Sequence, residues 1–175
     1  MDQEVLPLST ETQFSQFIEL LKSRPDAYAN VKGSDDYPNL EGTIFFYQLS
    51  DSVMVIARVS GLPKGEGACP SSIFGFHIHE GRSCSGTAEY PFVSSGPHYN
   101  PTGCPHPAHA GDLPPLFGNH GYAFTAFLTD RFTVNNIIGR TVIVHASPDD
   151  FTTQPAGNSG TKIACGLIVR NTGAM

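Results

Sequence analysis

Six of the seven histidines in this chain fall into three short segments, and their spacing indicates metal binding. In GFHIHEG, His77 and His79 are two residues apart on a predicted strand, so both imidazoles leave the same face. Such a pair alone is more often surface or core structure, and it predicts a metal site only together with other ligands. The seventh histidine, His120 in FGNHGYA, is predicted to lie in a hairpin turn at the surface.

The second segment, GPHYNPTGCPHPAHAGD, carries four potential ligands, which are His98, His106, His109 and Asp112. Prolines on both sides of His106 argue against a helix there, so these ligands are expected on a loop. Three imidazoles and one carboxylate supply the four donors of a closed tetrahedral zinc site. The alternative is a polar loop with incidental histidines, which the close spacing disfavours.

The third segment, RTVIVHA, ends an apolar strand with His145. If the sheet closes, His145 can lie beside the strand of His77 and complete a second, imidazole-rich site. A site built from nitrogen ligands suits copper, which has the highest affinity of the divalent first-row metals. Alone, His145 would be interpreted as a hydrogen-bonded core histidine.

The elements that must position these residues are short β-rich runs separated by Gly, Pro, Asn, Asp and Ser. The runs are AYANVKG, GTIFFYQL, VMVIARV, SIFGFHIH, YAFTAFL, RTVIVHA and KIACGLIVR. Several such strands at short intervals predict an all-β antiparallel barrel or sandwich. The long connection after SIFGFHIH and the connection SPDDFTTQPAGNSG are predicted to be functional loops.

The segment STETQFSQFIELLKSRP predicts a short N-terminal helix. Thr10 and Gln13 resemble a capping box, Pro25 follows the helix, and one helical face carries Phe14, Phe17, Ile18 and Leu21. Such a helix is expected to pack on the barrel or on a neighbouring subunit. We therefore predict a helical extension over residues 1–26 and a β-domain over residues 27–175.

Composition excludes several classes of protein. The chain has 175 residues, 39% of them hydrophobic, which suits one compact domain. A net charge of −6 and the lack of a basic cluster argue against nucleic acid as a partner. No apolar run predicts a membrane span, and MDQEVLPLST does not resemble a signal peptide. A cytoplasmic location is expected, although an export signal removed from a mature fragment would not be visible.

With these residues assembled, the chain resembles the copper/zinc superoxide dismutase family from about Tyr28 to Arg170. The resemblance runs through GFHIHEG, GPHYNP, HAGDLP, GRTVIVHA and GNSGTKIACGLI. It implies an antiparallel Greek-key barrel that converts superoxide to dioxygen and hydrogen peroxide. It implies a copper site formed by His77, His79, His98 and His145. It also implies a zinc site formed by His98, His106, His109 and Asp112, so that His98 bridges the two metals.

The family pattern also gives Asp149 a role in linking the copper ligand His77 to the zinc ligand His106. A hydrogen-bond partner of this kind fixes the tautomer and the ring orientation of a metal ligand. The alternative for Asp149 is an ordinary turn aspartate, a role that Asp150 can fill instead.

Two further family positions are occupied here. Cys84 and Cys165 match a pair that family members join by a disulfide, and two free thiols in a reducing compartment are the alternative. Lys162 matches a basic position at the mouth of the copper channel, where better-known members have arginine. It would attract the superoxide anion, although most surface lysines have no such role.

Two features depart from the family. Only Pro107 and Ala108 separate His106 from His109, and this spacer is shorter than is usual in the family. A difference from the family is therefore expected in the geometry of the zinc site, not in the identity of its ligands. Cys69 and Cys104 are not a family pair, and they could form a second disulfide or remain free thiols.

The leading hypothesis from the sequence is a catalytic copper/zinc superoxide dismutase, because every ligand position and Asp149 are filled. The alternatives are a noncatalytic metal-binding or metal-buffering protein on the same scaffold, and a structural protein with zinc in both sites. A homodimer is one of the assemblies that the sequence allows.

Overall fold

A computed structural model describes residues 18–20, 22–65, 68 and 71–173. The described chain is mostly β. Its strands are β1 (Ala27–Gly33), β2 (Glu41–Gln48), β3 (Val53–Ser60), β4 (Ile73–Phe74), β5 (Phe76–His79), β6 (Leu116–Phe117), β7 (Tyr122–Thr129), β8 (Thr141–His145) and β9 (Lys162–Arg170). A short helix, α1 (Val134–Ile137), and a 3-10 turn (Val93–Ser95) lie in the connections.

Seven strands form one antiparallel sheet in the order β5-β8-β9-β1-β2-β3-β7, which curls into a half-barrel. The strands β4 and β6 form a separate antiparallel pair. The chain passes from β3 to the opposite edge at β5, returns to β7 and crosses again to β8. The predicted all-β antiparallel fold is confirmed. The long loop after β5 makes one of these crossings, whereas the second long loop joins the neighbouring strands β8 and β9.

Alternating side chains build the core on the concave face of the sheet. In β1, Ala27, Ala29 and Val31 are buried, whereas the residues between them point outward. Because a strand has a period of two residues, this alternation gives the sheet one apolar face. The largest side chains in the core include Phe46 and Phe76, both fully buried.

The convex face carries a smaller apolar cluster of Tyr47, Met54 and Ile56. Leu20 packs against this cluster, and residues 18–20 and 22 are helical, as predicted. The other residues of the predicted helical face, Phe14, Phe17 and Leu21, and the predicted cap of Thr10 and Gln13 lie outside the described residues.

The structure differs from the sequence prediction at several elements. The run SIFGFHIH is broken into β4 and β5 at Gly75, where an added Cβ would lie 2.8 Å from Ser159 Oγ. Helix α1 was not predicted, because a single turn is too short to give a helical periodicity. It is capped by Thr133 and Asn136: the side chain of each accepts a hydrogen bond from the backbone N–H of the other. The two-residue strand β6 is likewise too short to give a periodic pattern.

Within the described ranges, no helix is long and apolar enough to cross a membrane.

Candidate metal centre

Two neighbouring strands and one loop bring the predicted ligands together. His77 and His79 lie on β5, and His145 ends β8, which pairs with β5 so that His77 is opposite Ile143. The loop after β5 lies along the other edge of this strand. There the backbone of His79 pairs with that of His98, and the backbone of His77 pairs with that of Asp112, as two isolated antiparallel β-bridges. This close approach requires Gly111, because a side chain there would overlap the carbonyl oxygen of Ile78.

The structure gathers the seven predicted ligands into two groups that share one histidine. In each group the donor atoms lie within 4.8 Å of one another. Each of the seven residues is at most 8% exposed, so most of the surface of these donors is shielded from bulk water. We call them the four-histidine group (His77, His79, His98 and His145) and the mixed group (His98, His106, His109 and Asp112).

Backbone carbonyls orient two rings of the four-histidine group. His79 Nδ1 lies 2.8 Å from the Gly96 oxygen, and His145 Nδ1 lies 3.2 Å from the Gly160 oxygen. When each ring donates its Nδ1–H to its carbonyl, both Nε2 atoms carry lone pairs. These two Nε2 atoms are 3.2 Å apart and face each other, an arrangement that a bound cation would stabilise.

The mixed group converges on one carboxylate. His98 Nδ1 lies 2.7 Å from Asp112 Oδ1, whereas His106 Nδ1 and His109 Nδ1 lie 3.0 and 3.2 Å from Asp112 Oδ2. The last two nitrogens are close to the carboxylate but make no hydrogen bond within the described part of the chain. Three ring nitrogens and a carboxylate oxygen therefore share one small buried space.

Asp149 connects the two groups. Its Oδ2 lies 2.7 Å from His77 Nε2, and its Oδ1 lies 2.9 Å from His106 Nε2. The backbone N–H of Phe151 also donates to Oδ1, at 2.7 Å. Asp150 is exposed and instead accepts bonds from the residues that follow it, which is the ordinary turn role. With both Nε2 atoms bonded to Asp149, His77 and His106 turn Nδ1 toward their own groups.

The buried ring nitrogens without partners fit bound metals. Among the described residues they are His77 Nδ1, His98 Nε2, His106 Nδ1 and His109 Nδ1. An unpaired buried polar atom costs about 1–3 kcal/mol, so four of them in one place call for an explanation. A metal ion in each group would satisfy these atoms, and the imidazole and carboxylate donors suit copper and zinc.

Burial favours the neutral form of three members of the four-histidine group, His77, His79 and His145. It lowers the pKa of His79 well below the usual value, and it lowers the pKa of His145 to about 3. Burial also lowers the pKa of His77, although the hydrogen bond to Asp149 opposes this. Neutral imidazole is the form that binds a metal.

Both carboxylates of the site stay ionised. Burial alone would raise the pKa of Asp112, but the hydrogen bond with His98 and the nearby histidines outweigh it and lower the pKa. Asp149 follows the same pattern through His77, Phe151 and His106. The mixed group therefore has a negative charge to offer to a cation.

These pKa shifts predict how acid destabilises the metal-free protein. Above pH 6.5, His79 and His145 are neutral in both the folded and the unfolded chain. Below it the unfolded chain binds protons that the folded chain cannot, so the free energy of unfolding falls by about 1.4 kcal/mol per pH unit for each histidine. Denaturant titrations between pH 7.5 and 4.5 measure this slope.

His145→Gln should reduce the pH dependence of the free energy of unfolding by about 1.4 kcal/mol per pH unit, the contribution of one histidine. The matched His120→Gln should leave this pH dependence unchanged. A free energy of unfolding that stays constant between pH 6.5 and 4.5 would contradict the prediction. His120 serves as the control because it is exposed in the turn before β7, as the sequence predicts.

The disulfide between Cys84 and Cys165 is present, with a Cα separation of 5.7 Å. It ties the loop after β5 to β9 and confirms that prediction. Cys104 is not bonded to a described cysteine, and its Sγ lies 3.2 Å from Thr102 Oγ1. Cys69 lies outside the described residues, so the proposed second pair stays a prediction.

Three residues that contact the loop of the mixed group were missed in the sequence. Gln154 makes two hydrogen bonds with the backbone of His106. Its Nε2 donates to the His106 oxygen at 2.6 Å, and its Oε1 accepts from the His106 backbone N–H at 3.0 Å. Gly157 lies against Asp149 and His106, and Arg131 contacts backbone carbonyls of the loop. Their residue types carry no local signal, because each acts on residues distant in the chain.

A family model described as copper/zinc superoxide dismutase (SODC) matches residues 40–168. The chain belongs to this family. The match covers all seven residues of the two groups, Asp149, Lys162 and both bonded cysteines. Members of the copper/zinc superoxide dismutase family bind copper and zinc, and the two groups described above could hold these metals.

Proposed function

We propose that this protein is a superoxide dismutase with copper in the four-histidine group and zinc in the mixed group. The observation that carries the proposal is that two complete, buried donor groups share His98. Its Nδ1 faces Asp112 of the mixed group, and its buried Nε2 has no hydrogen-bond partner among the described residues. One imidazole ring can therefore serve both groups, as the family resemblance implies.

When bound, copper would supply the one-electron chemistry by which two superoxide anions become dioxygen and hydrogen peroxide. Two protons are needed for each peroxide formed. His98 Nε2 is the ring atom that can hold and deliver one of them, and water supplies the other. Its ring is held in place through the contact of its Nδ1 with Asp112, at 2.7 Å.

A cavity of about 470 Å³ opens onto the four-histidine group. His79, His98 and His145 line it together with Pro155, Ala156, Lys162 and other residues. Lys162 Nζ donates to Ser95 Oγ at 2.7 Å and to the Gly96 oxygen at 2.8 Å. An ammonium has three N–H donors, so one is left for a small anion. We infer that Lys162 attracts superoxide to this cavity.

Lys162→Met should lower kcat/KM for superoxide several-fold at low ionic strength, because it removes the positive charge beside the histidines. The difference from the wild type should shrink as salt screens that charge. Rates are measured over a range of salt concentrations, with copper and zinc contents determined for each sample.

The control is Lys64→Met, which makes the same charge change at an exposed lysine in the loop after β3. This variant should keep the wild-type rate. Equal rates for Lys162→Met and the wild type at low salt would show that Lys162 does not steer the substrate.

The direct test of the proposed function is reconstitution. The purified protein is loaded with copper and zinc, the bound metals are counted, and superoxide removal is compared with the metal-free protein. We expect one copper and one zinc per chain, and a rate far above that of the metal-free protein. Full loading without such a rate would favour the noncatalytic metal-binding alternative.

A further inference from the structure

The guanidinium group of Arg131 contacts the loop that carries most of the mixed group. Arg131 follows β7, and its Nη1 lies 3.1 Å from the Pro107 oxygen, 3.2 Å from the His109 oxygen and 3.1 Å from the Asp112 oxygen. The Arg131 backbone N–H also donates to Thr129 Oγ1, at 3.3 Å. One nitrogen, supported by the end of a sheet strand, therefore reaches three carbonyls of one short segment.

Among the described residues, Arg131 is the donor to the Pro107 and Asp112 oxygens, whereas the His109 oxygen also accepts from the Asp112 backbone N–H, at 3.2 Å. Prolines at 105 and 107 lack an N–H group, so the segment has few donors of its own. Three carbonyl oxygens that point at one place also repel each other. A positively charged donor at their meeting point both satisfies and attracts them.

The contacts of Arg131 with the loop lie where they can set the geometry of the mixed group. His109 and Asp112 are members of the mixed group, and Arg131 holds the backbone oxygen of each without touching their donor atoms. Only two residues separate His106 from His109, so the short loop has little length with which to adjust to a metal. Its shape must be fixed by contacts with the rest of the protein.

We propose that Arg131 is a positioning residue for the mixed group, holding the short loop in the geometry that zinc requires. This inference rests on the proposed assignment of zinc to that group. The four-histidine group is largely outside the reach of Arg131, because it shares only His98 with the mixed group. A loss of Arg131 should therefore weaken zinc binding much more than copper binding.

The experiment compares Arg131→Met, Arg131→Lys and Arg58→Met. Zinc and copper affinities are measured separately by competition with a chromophoric chelator, and the visible spectrum of Co²⁺ in the mixed group reports its geometry. Arg58→Met is the matched control, because Arg58 is also exposed and its guanidinium lies 5.2 Å from the centre of the Phe45 ring on the sheet.

Arg131→Met should lower the zinc affinity about 10–100-fold, as is typical for residues that orient metal ligands, and change the Co²⁺ spectrum. Copper affinity should stay within about threefold, because an orienting residue acts on the ligands that it holds, and Arg131 holds only the loop of the mixed group. Arg131→Lys should restore part of the zinc affinity, because an ammonium nitrogen keeps the positive charge and has three N–H groups that can donate to these carbonyls. Arg58→Met should match the wild type.

A zinc affinity of Arg131→Met within threefold of the wild type, or an equal loss of copper affinity, would overturn the inference. If Arg131→Met does not fold, Arg131→Lys decides in the same way: lowered zinc affinity with unchanged copper affinity supports the inference, and wild-type affinities overturn it. A wild-type protein that binds no zinc in the mixed group would instead contradict the proposed function on which the inference rests.

Discussion

Replacing His145 with alanine will reduce superoxide removal by the reconstituted protein to the level of the metal-free protein. His145 Nε2 faces His79 Nε2 at 3.2 Å in a buried site, and the substitution removes one of four nitrogen donors. Residues that only orient a ligand are worth about 10–100-fold in metal affinity, so loss of a ligand itself should cost at least about 100-fold for copper. Zinc binding should persist, because His145 is not in the mixed group.

Copper and zinc contents after dialysis against a chelator, together with the superoxide assay, measure both effects. His120→Ala is the control, since it removes a histidine that belongs to neither group. A His145→Ala protein that keeps its copper and its activity would rule out the four-histidine group as the copper site.

Replacing Gly157 with alanine will weaken both metals at once, although Gly157 supplies no ligand. A Cβ at this position would overlap Asp149 Oδ1 and lie 2.7 Å from His106 Nε2. Asp149 would have to move, and its hydrogen bonds to His77 and His106 would be lost together. We expect copper and zinc affinities to fall about 10–100-fold each, measured by chelator competition.

The control for Gly157→Ala is Gly103→Ala. The two glycines have nearly the same positive φ, 65° and 66°, but a Cβ on Gly103 would have no atom of a described residue within 4 Å beyond its chain neighbours. Both variants therefore carry a similar backbone strain of about 1–2 kcal/mol, and only Gly157→Ala adds the overlap with Asp149. Equal losses of metal affinity in the two variants would mean that strain, not the position of Asp149, is responsible.

The all-β class and the residues of the two groups were predictable from the sequence, because their signals are local. The two-residue spacing of His77 and His79 places them on one face of a strand. The prolines beside His106 indicate a loop, and residue type alone makes imidazole and carboxylate candidate ligands. The family motifs then predicted the disulfide of Cys84 with Cys165, which the structure contains.

Only the tertiary structure decided how these residues are oriented. The family motifs predicted that Asp149 links His77 to His106, but the structure determines that it bonds their Nε2 atoms, so that Nδ1 of each ring faces its own group. It also brings Arg131 and Gln154 onto the backbone of the loop that carries the mixed group. The physical reason is that these contacts join residues far apart in the chain. Side chains that bond a distant backbone, and glycines that allow a distant carboxylate to approach, leave no periodic pattern in the sequence.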